Sequence, residues 1–278
     1  MGQDRPAGAG RLSAAGRPVA RIGALGDIHG AFDAARQIIA RHPDVPFWLC
    51  VGDIASDPST WLGAGPSTGL GAGTGYEPLG APVYWIHGNN DNFDAIAAGD
   101  LPPDLHHIAN GTAVVAQGFS PALRIAGLGG TFAPTWYETP AADLPHPKKG
   151  SARATELADR STGSRSSRAS SRDDKRRHFV RDEVEACKRL RGVDVFLTHE
   201  APKPFHPFPG GRGPDAGKVQ VNEILAAMRP RLHLFGHHHR YSEQIVEGVR
   251  SIGLDLAERS YLLIDAASLD VELLHASA

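Results

Sequence analysis

Arg21-Ile22-Gly23-Ala24-Leu25-Gly26-Asp27-Ile28-His29-Gly30, with Phe32, Ala35 and Ile39 following at helical spacing, is the stretch that decides how this chain is read. An apolar run ends in a carboxylate and an imidazole two residues apart, and an amphipathic helix starts directly behind them. Strand, loop and helix in that order make the unit of an α/β fold. Four further blocks repeat the placement. Trp48-Leu49-Cys50-Val51 precedes Gly52-Asp53, and Val83-Tyr84-Trp85-Ile86 precedes Gly88-Asn89-Asn90-Asp91. Val195-Phe196-Leu197 precedes Thr198-His199-Glu200, and Leu232-His233-Leu234-Phe235 precedes Gly236-His237-His238-His239. Each apolar run reads as a short buried strand. A parallel or mixed sheet sends the C-terminal ends of such strands to one edge, where ligands gather. Asp27, His29, Asp53, Asn89, His199, His237 and His239 are therefore expected to meet from five loops. Asp-x-His and His-x-His put both side chains on one side of an extended segment, so one ion can take both. Carboxylate, amide oxygen and imidazole together suit a pair of first-row divalent ions better than calcium or a thiolate zinc site.

The blocks run from Asp27 to His239 of 278 residues, so half the chain cannot assemble them. One domain over residues 19–278 is expected, behind a disordered tail at 1–18 that is Gly, Ala and Arg with almost no bulky apolar residue. A hydrophobic fraction of 41% is enough for a core, and a net charge of −2 gives no global pull towards nucleic acid or acidic membrane. Two cysteines, Cys50 and Cys187, exclude a disulfide framework and read as small core residues. No leader pattern opens the chain and no apolar stretch approaches a membrane span, which sets a reduced, cytoplasmic, non-membrane protein as the expectation. Oligomeric state has no signature in the sequence.

Residues 63–80 are Gly-rich and read as a mobile loop. Residues 141–177 are poor in apolar side chains and crowded with Ser, Arg and Lys, as a disordered basic insertion would be. Of 29 Lys and Arg, 14 lie between residues 148 and 191 against seven acids, so a polyanion could be attracted there. No aromatic residue interleaves that run before Phe179 to stack on a base, and a solvated loop is the plainer reading. Helices are expected at 178–190 and 220–228, and short β-like runs at 242–274 would close a second layer of sheet.

The five blocks, in order and spacing, resemble the calcineurin-like metallophosphoesterase superfamily, whose signature is Asp-x-His, Gly-Asp, Gly-Asn-His-Asp/Glu, His and Gly-His-x-His. A narrower resemblance, to RNA lariat debranching enzymes, lies in Arg124-Ile125-Ala126-Gly127-Leu128-Gly129-Gly130-Thr131-Phe132, then Arg177-His178-Phe179-Val180-Arg181-Asp182-Glu183-Val184, then Val195 to Pro202. The resemblance implies a four-layer α/β/β/α sandwich and a dinuclear metal-dependent phosphoesterase, a phosphodiesterase before others. Hydrolysis would proceed by attack of a metal-bridging hydroxide on the phosphate ester. Asp53 would bridge both ions, Asp27, His29 and His239 would complete one shell, and Asn89, His199 and His237 the other. Mn2+ is the first choice of ion, with Fe2+, Zn2+, Ni2+ and Co2+ compatible with the same donors. The substrate side of the resemblance includes nucleotides and nucleic acid. The alternatives are a phosphomonoesterase or a cyclic-nucleotide or dinucleotide hydrolase of the same fold, and a non-catalytic nucleic-acid-binding scaffold.

One position departs from the pattern. Where the superfamily places a His that touches the phosphate and can protonate the leaving oxygen, this chain has Asn90. An amide donates a hydrogen bond to a phosphoryl oxygen but transfers no proton near neutral pH. Asn90, His178 and His238 are the candidate catalytic residues, with His87 and Asp91 as alternatives for the acid. His87 could equally pack at a strand end, His238 point away between two ligands, and Asp91 cap the helix behind it. His178 and Arg181 could reach the phosphate from a helix start.

Overall fold

The computed structural model describes residues 20–55, 77–116, 122–145, 174–208 and 213–276. The expected tail, most of the 63–80 stretch and residues 146–173 of the expected insertion lie outside these. The first half of the chain forms β1 (Arg21–Leu25), α1 (Phe32–Ala40), β2 (Trp48–Cys50), β3 (Val83–Trp85), α2 (Phe93–Ala98) and β4 (Leu105–His107). It continues through β5 (Ala113–Ala116), β6 (Leu123–Leu128), β7 (Thr131–Phe132) and β8 (His178–Phe179). Then come α3 (Arg181–Arg189), β9 (Val195–Thr198), α4 (Val219–Met228) and β10 (Leu232–Phe235). Four strands close the chain: β11 (Ser242–Val246), β12 (Val249–Gly253), β13 (Ser260–Asp265) and β14 (Val271–His275).

Two six-stranded sheets result, in the orders β14-β13-β1-β2-β3-β4 and β11-β12-β10-β9-β6-β5, with β7 and β8 as a separate parallel pair. Strands β1 to β4 run parallel, as do β6, β9, β10 and β12. Period-two alternation sends Ile22, Leu49, Ile125, Leu197, Leu234 and Leu262 into a core between the sheets. Neighbouring residues on the same strands face the helices instead. Leu25, Trp48 and Trp85 pack against Phe32, Ala35 and Ile38 of α1, while Ala126 and Phe196 pack against Val184 and Cys187 of α3 and Ile224 and Leu225 of α4. Both faces of these strands are buried, which is why they read as unbroken apolar runs. Each such Leu, Ile or Phe contributes roughly 1.5–3 kcal/mol of burial. The layering is the expected α/β/β/α sandwich.

Three local expectations are corrected. The motif strands do not share one sheet: β1 to β3 belong to the first, and β9 and β10 to the second. The C-terminal runs divide as well, β11 and β12 joining the second sheet while β13 and β14 return to the first, with β13 antiparallel beside β1. Finally, α3 starts at Arg181, because His178 and Phe179 pair with β7 and the Glu183 carboxylate accepts from Val180 N at 3.0 Å to cap the helix. Cys50 and Cys187 are buried free thiols, as expected. Among the described residues no helix is long and apolar enough to cross a membrane.

Candidate metal centre

All five loops reach one place, where the C-terminal ends of the two sheets face each other. Asp27, His29 and His239 form one group of ligand atoms, all within 4.8 Å of one another, and Asp53, His199 and His237 form a second. In the first, His239 Nε2 lies 3.1 Å from Asp27 Oδ2 and 3.0 Å from His29 Nε2. In the second, His199 Nε2 lies 3.5 Å from Asp53 Oδ2 and 3.1 Å from Asn89 Oδ1. Asp53 Oδ2 is also 3.7 Å from His29 Nε2, so one carboxylate faces both groups.

Local backbone makes this convergence possible. His29, Asp53, His237 and His239 all have left-handed φ, between 46° and 68°, a conformation non-glycine residues hold only where surroundings impose it. Glycines let the chains approach: a Cβ on Gly88 would collide with Asp53 Oδ1, and one on Gly236 with Asp27 Oδ1. Backbone bonds tie loop to loop. His29 N donates to Asp53 O at 2.8 Å, and His237 N donates to Asp27 Oδ2 at 3.1 Å. Asp91, with no solvent exposure, accepts from Gly88 N at 2.7 Å and from Asp53 N and Ala55 N at 3.1 Å. That corrects the reading of Asp91 as a helix cap. Asn92 caps α2 by accepting from Ala95 N, and Asp91 pins the Gly52-Asp53 loop to its neighbour.

The charge balance favours cations. Asp27 and Asp53 are almost fully buried, and among the described residues no Lys or Arg pairs with either. A buried carboxylate without positive charge nearby is costly. Burial works against a charged His199, yet the Asp53 carboxylate beside it pushes its pKa up to about 10. The hydrogen bond and charge of Asp27 likewise raise His239. These imidazoles would hold protons where positive charge is needed. His199 Nδ1 is 2.9 Å from the carbonyl of Val51, which commits that nitrogen as a donor and turns Nε2 into the site. Imidazole, carboxylate and amide oxygen in two adjoining groups fit two divalent ions.

Of the remaining candidates, Asn90 is bonded directly to this centre. Asn90 donates from N to Asp53 Oδ1 and from Nδ2 to Asp53 Oδ2, both at 2.8 Å. His178 sits on β8 with Nδ1 3.0 Å from Thr131 Oγ1, and burial followed by the charge of Arg177 lowers it to about 4. His238 turns from both groups: its ring packs 4.7 Å from that of Phe205, and Nε2 is 3.9 Å from Glu200 Oε2. Burial and then Lys218 lower His238 to about 4. Arg181 is engaged by Glu138 and lies over the Tyr137 ring. His87 packs behind the Gly88 loop, with Nδ1 3.2 Å from His107 Nε2, and burial followed by His107 takes it to about 3. Two residues were missed in the sequence. Glu200 receives Phe132 N at 3.0 Å on one oxygen and faces Lys218 Nζ at 3.6 Å with the other. His107, the partner of His87, follows no apolar run that would single it out.

The fold has counterparts among solved structures. The protein TT1561 of Thermus thermophilus superposes with a TM-score of 0.57 at 14% identity, over 93% of this chain and 99% of that one. A dimetal phosphatase from Danio rerio gives 0.50 at 13% identity, over 94% and 100%. These likenesses concern the fold. No curated protein matches the sequence significantly. The family model of calcineurin-like phosphoesterases, in contrast, matches residues 20–241, from the first residue before β1 to just beyond the His237-His238-His239 loop. On that match, and with both groups of ligand atoms inside it, the chain belongs to the calcineurin-like phosphoesterase family, metal-dependent hydrolases of phosphoric esters.

Proposed function

We propose that this protein is a dinuclear phosphodiesterase, with Asp27, His29 and His239 holding one divalent ion, Asn89, His199 and His237 the other, and Asp53 shared. Mn2+ is the first choice of ion. The observation that carries the reading is the position of Asp53 Oδ2, 3.7 Å from His29 Nε2 and 3.5 Å from His199 Nε2. Ions bound there would neutralise phosphoryl charge and lower the pKa of water so that hydroxide is available near neutral pH.

The chain's own residues do the rest. Asn90 Nδ2, which donates to Asp53, can turn its N–H onto a phosphoryl oxygen, and it offers no proton to the leaving group. His178, neutral near pH 7, donates an N–H to the phosphate from β8, positioned by Thr131. His238 acts through Glu200 and Phe205 to hold the loop between its two neighbouring ligands.

The same surroundings favour a diester. A monoester dianion brings one more negative charge than a diester, and Asn90 and His178, the side chains proposed to meet the phosphate, carry no charge to receive it. Arg181 is taken by Glu138, and Lys218 faces Glu200. The three blocks that resemble debranching enzymes also converge, since β7 pairs with β8 and Glu200 receives Phe132 N. A 2′,5′-linked dinucleotide therefore belongs beside 3′,5′-linked ones among the substrates. With Mn2+ supplied, bis(p-nitrophenyl) phosphate should be hydrolysed with a kcat/KM at least about tenfold above that for p-nitrophenyl phosphate. The reverse order would replace the diesterase reading with a monoesterase one.

A further inference from the structure

Glu200 directly follows the ligand candidate His199, is 3% exposed, and belongs to neither group of ligand atoms. A buried carboxylate is costly unless charges and donors meet it, and three separate segments do so here. Oε1 accepts from Phe132 N of β7 at 3.0 Å. Oε2 faces Lys218 Nζ at 3.6 Å, just ahead of α4, and His238 Nε2 at 3.9 Å, between the ligand candidates His237 and His239. Oε2 and His238 Nε2 are both buried, and among the described residues neither makes a hydrogen bond elsewhere.

The two ends of this contact are held differently. At Glu200 the backbone is fixed from the sheet: Thr198 Oγ1 donates to the Glu200 carbonyl at 2.6 Å and lies 2.9 Å from His233 Nε2. Lys218 is fixed as well, its N donating to Ala201 O at 2.9 Å and its Nζ to Ala216 O at 2.7 Å. The loop from His237 to His239 is the part that needs holding, because those two residues have left-handed φ of 68° and 47°. The His238 ring packs 4.7 Å from that of Phe205, an apolar contact that sets no direction for its nitrogens, and Glu200 supplies the polar one. His237 and His199 stand with ring centroids 4.8 Å apart, in one group of ligand atoms with Asp53. A strut from Glu200 to His238 therefore joins the two loops that carry these imidazoles.

We propose that Glu200 is a positioning residue: its charge, shared by Lys218 and His238, sets the spacing of His237 from His199 and with it the affinity of the Asp53-His199-His237 group for its ion. The inference rests on the two-ion reading, and the test separates the two. Glu200→Gln keeps an oxygen for Phe132 N and removes the charge, while His238→Phe keeps a ring on Phe205 and removes Nε2. Each variant is titrated with Mn2+ and followed by electron paramagnetic resonance, which distinguishes a single ion from a spin-coupled pair. In Glu200→Gln the single-ion signal should appear at the wild-type concentration, and the pair signal should need at least about tenfold more free Mn2+. The metal-free melting curve should match wild type, which a merely structural acid would not allow. Where that curve shifts, His238→Phe is read by the same criterion. A pair signal at the wild-type Mn2+ concentration, or equal weakening of both ions, overturns the positioning role alone. If wild type shows no coupled pair, the two-ion reading falls and the role of Glu200 with it.

Discussion

Asp53 Oδ2 lies 3.5 Å from His199 Nε2, a contact made across the seam between the two sheets. Asp53 follows β2 of the first sheet and His199 follows β9 of the second. The same oxygen faces His29, so removing it should be felt by both ions. Asp53→Ala is expected to lose both, whereas His239→Ala should weaken mainly one. Metal analysis of the purified variants decides, and full two-ion occupancy in Asp53→Ala would sink the shared role.

Asn90→His asks whether the departure from the family pattern is a missing acid. An imidazole there has an ordinary pKa near 6.5 and can give a proton to the leaving oxygen. Turnover should rise for esters with alkoxide leaving groups and barely change for aryl esters, whose phenolate leaves unaided. General acid catalysis is worth about 10²–10⁴-fold, well above assay error. Equal or lower turnover on every ester, with metals bound, would mean that another group already supplies the proton.

Asp91→Ala should destabilise the fold and not only the site. It strips the acceptor from three buried backbone N–H groups, each costing about 1–3 kcal/mol if left unsatisfied. Asp91→Asn keeps one oxygen acceptor and should fall between the two. Denaturant titration of metal-free protein gives the comparison, and a midpoint for Asp91→Ala matching wild type would refute the pinning role.

His233 makes the protein sensitive to acid. It is fully buried between Thr198 Oγ1 at 2.9 Å and Ser251 Oγ at 3.1 Å, and burial lowers its pKa to about 3. The unfolded chain, with a value near 6.5, binds this proton first as pH falls. The stability His233 contributes is therefore complete above pH 6.5 and is lost progressively between there and about 3. His233→Gln should show a shallower loss of melting temperature from pH 7 to pH 4 than wild type. Parallel curves would remove His233 from the acid limb.

The ligand loops were legible because each is local: an apolar run, a glycine and a donor within a few residues. Their backbone was not. Four of the candidate ligand residues adopt left-handed φ, and nothing in Asp-Ile-His or His-His-His announces it. Sheet membership was also hidden, since it depends on pairings such as Leu25 with Tyr261, made between distant parts of the chain. Asp91 looked like a cap because a short acid before a helix usually is one, and its role needs the backbone of two loops at once. The His87–His107 contact comes from the register of adjacent strands, with Trp85 beside His107, which no single segment encodes.

The candidate ligand atoms are divided between the sheets: Asp27, His29, Asp53 and Asn89 follow strands of the first, and His199, His237 and His239 follow strands of the second. Cations held among them would act as rivets through two plates otherwise joined by the apolar interior. Whatever binds the folded form alone stabilises it by mass action, rising with the logarithm of its concentration. Metal supply would therefore set not only whether the centre is armed but how firmly the two plates stay shut at that rim. A chain starved of metal would part there first, at the end where four residues hold left-handed φ.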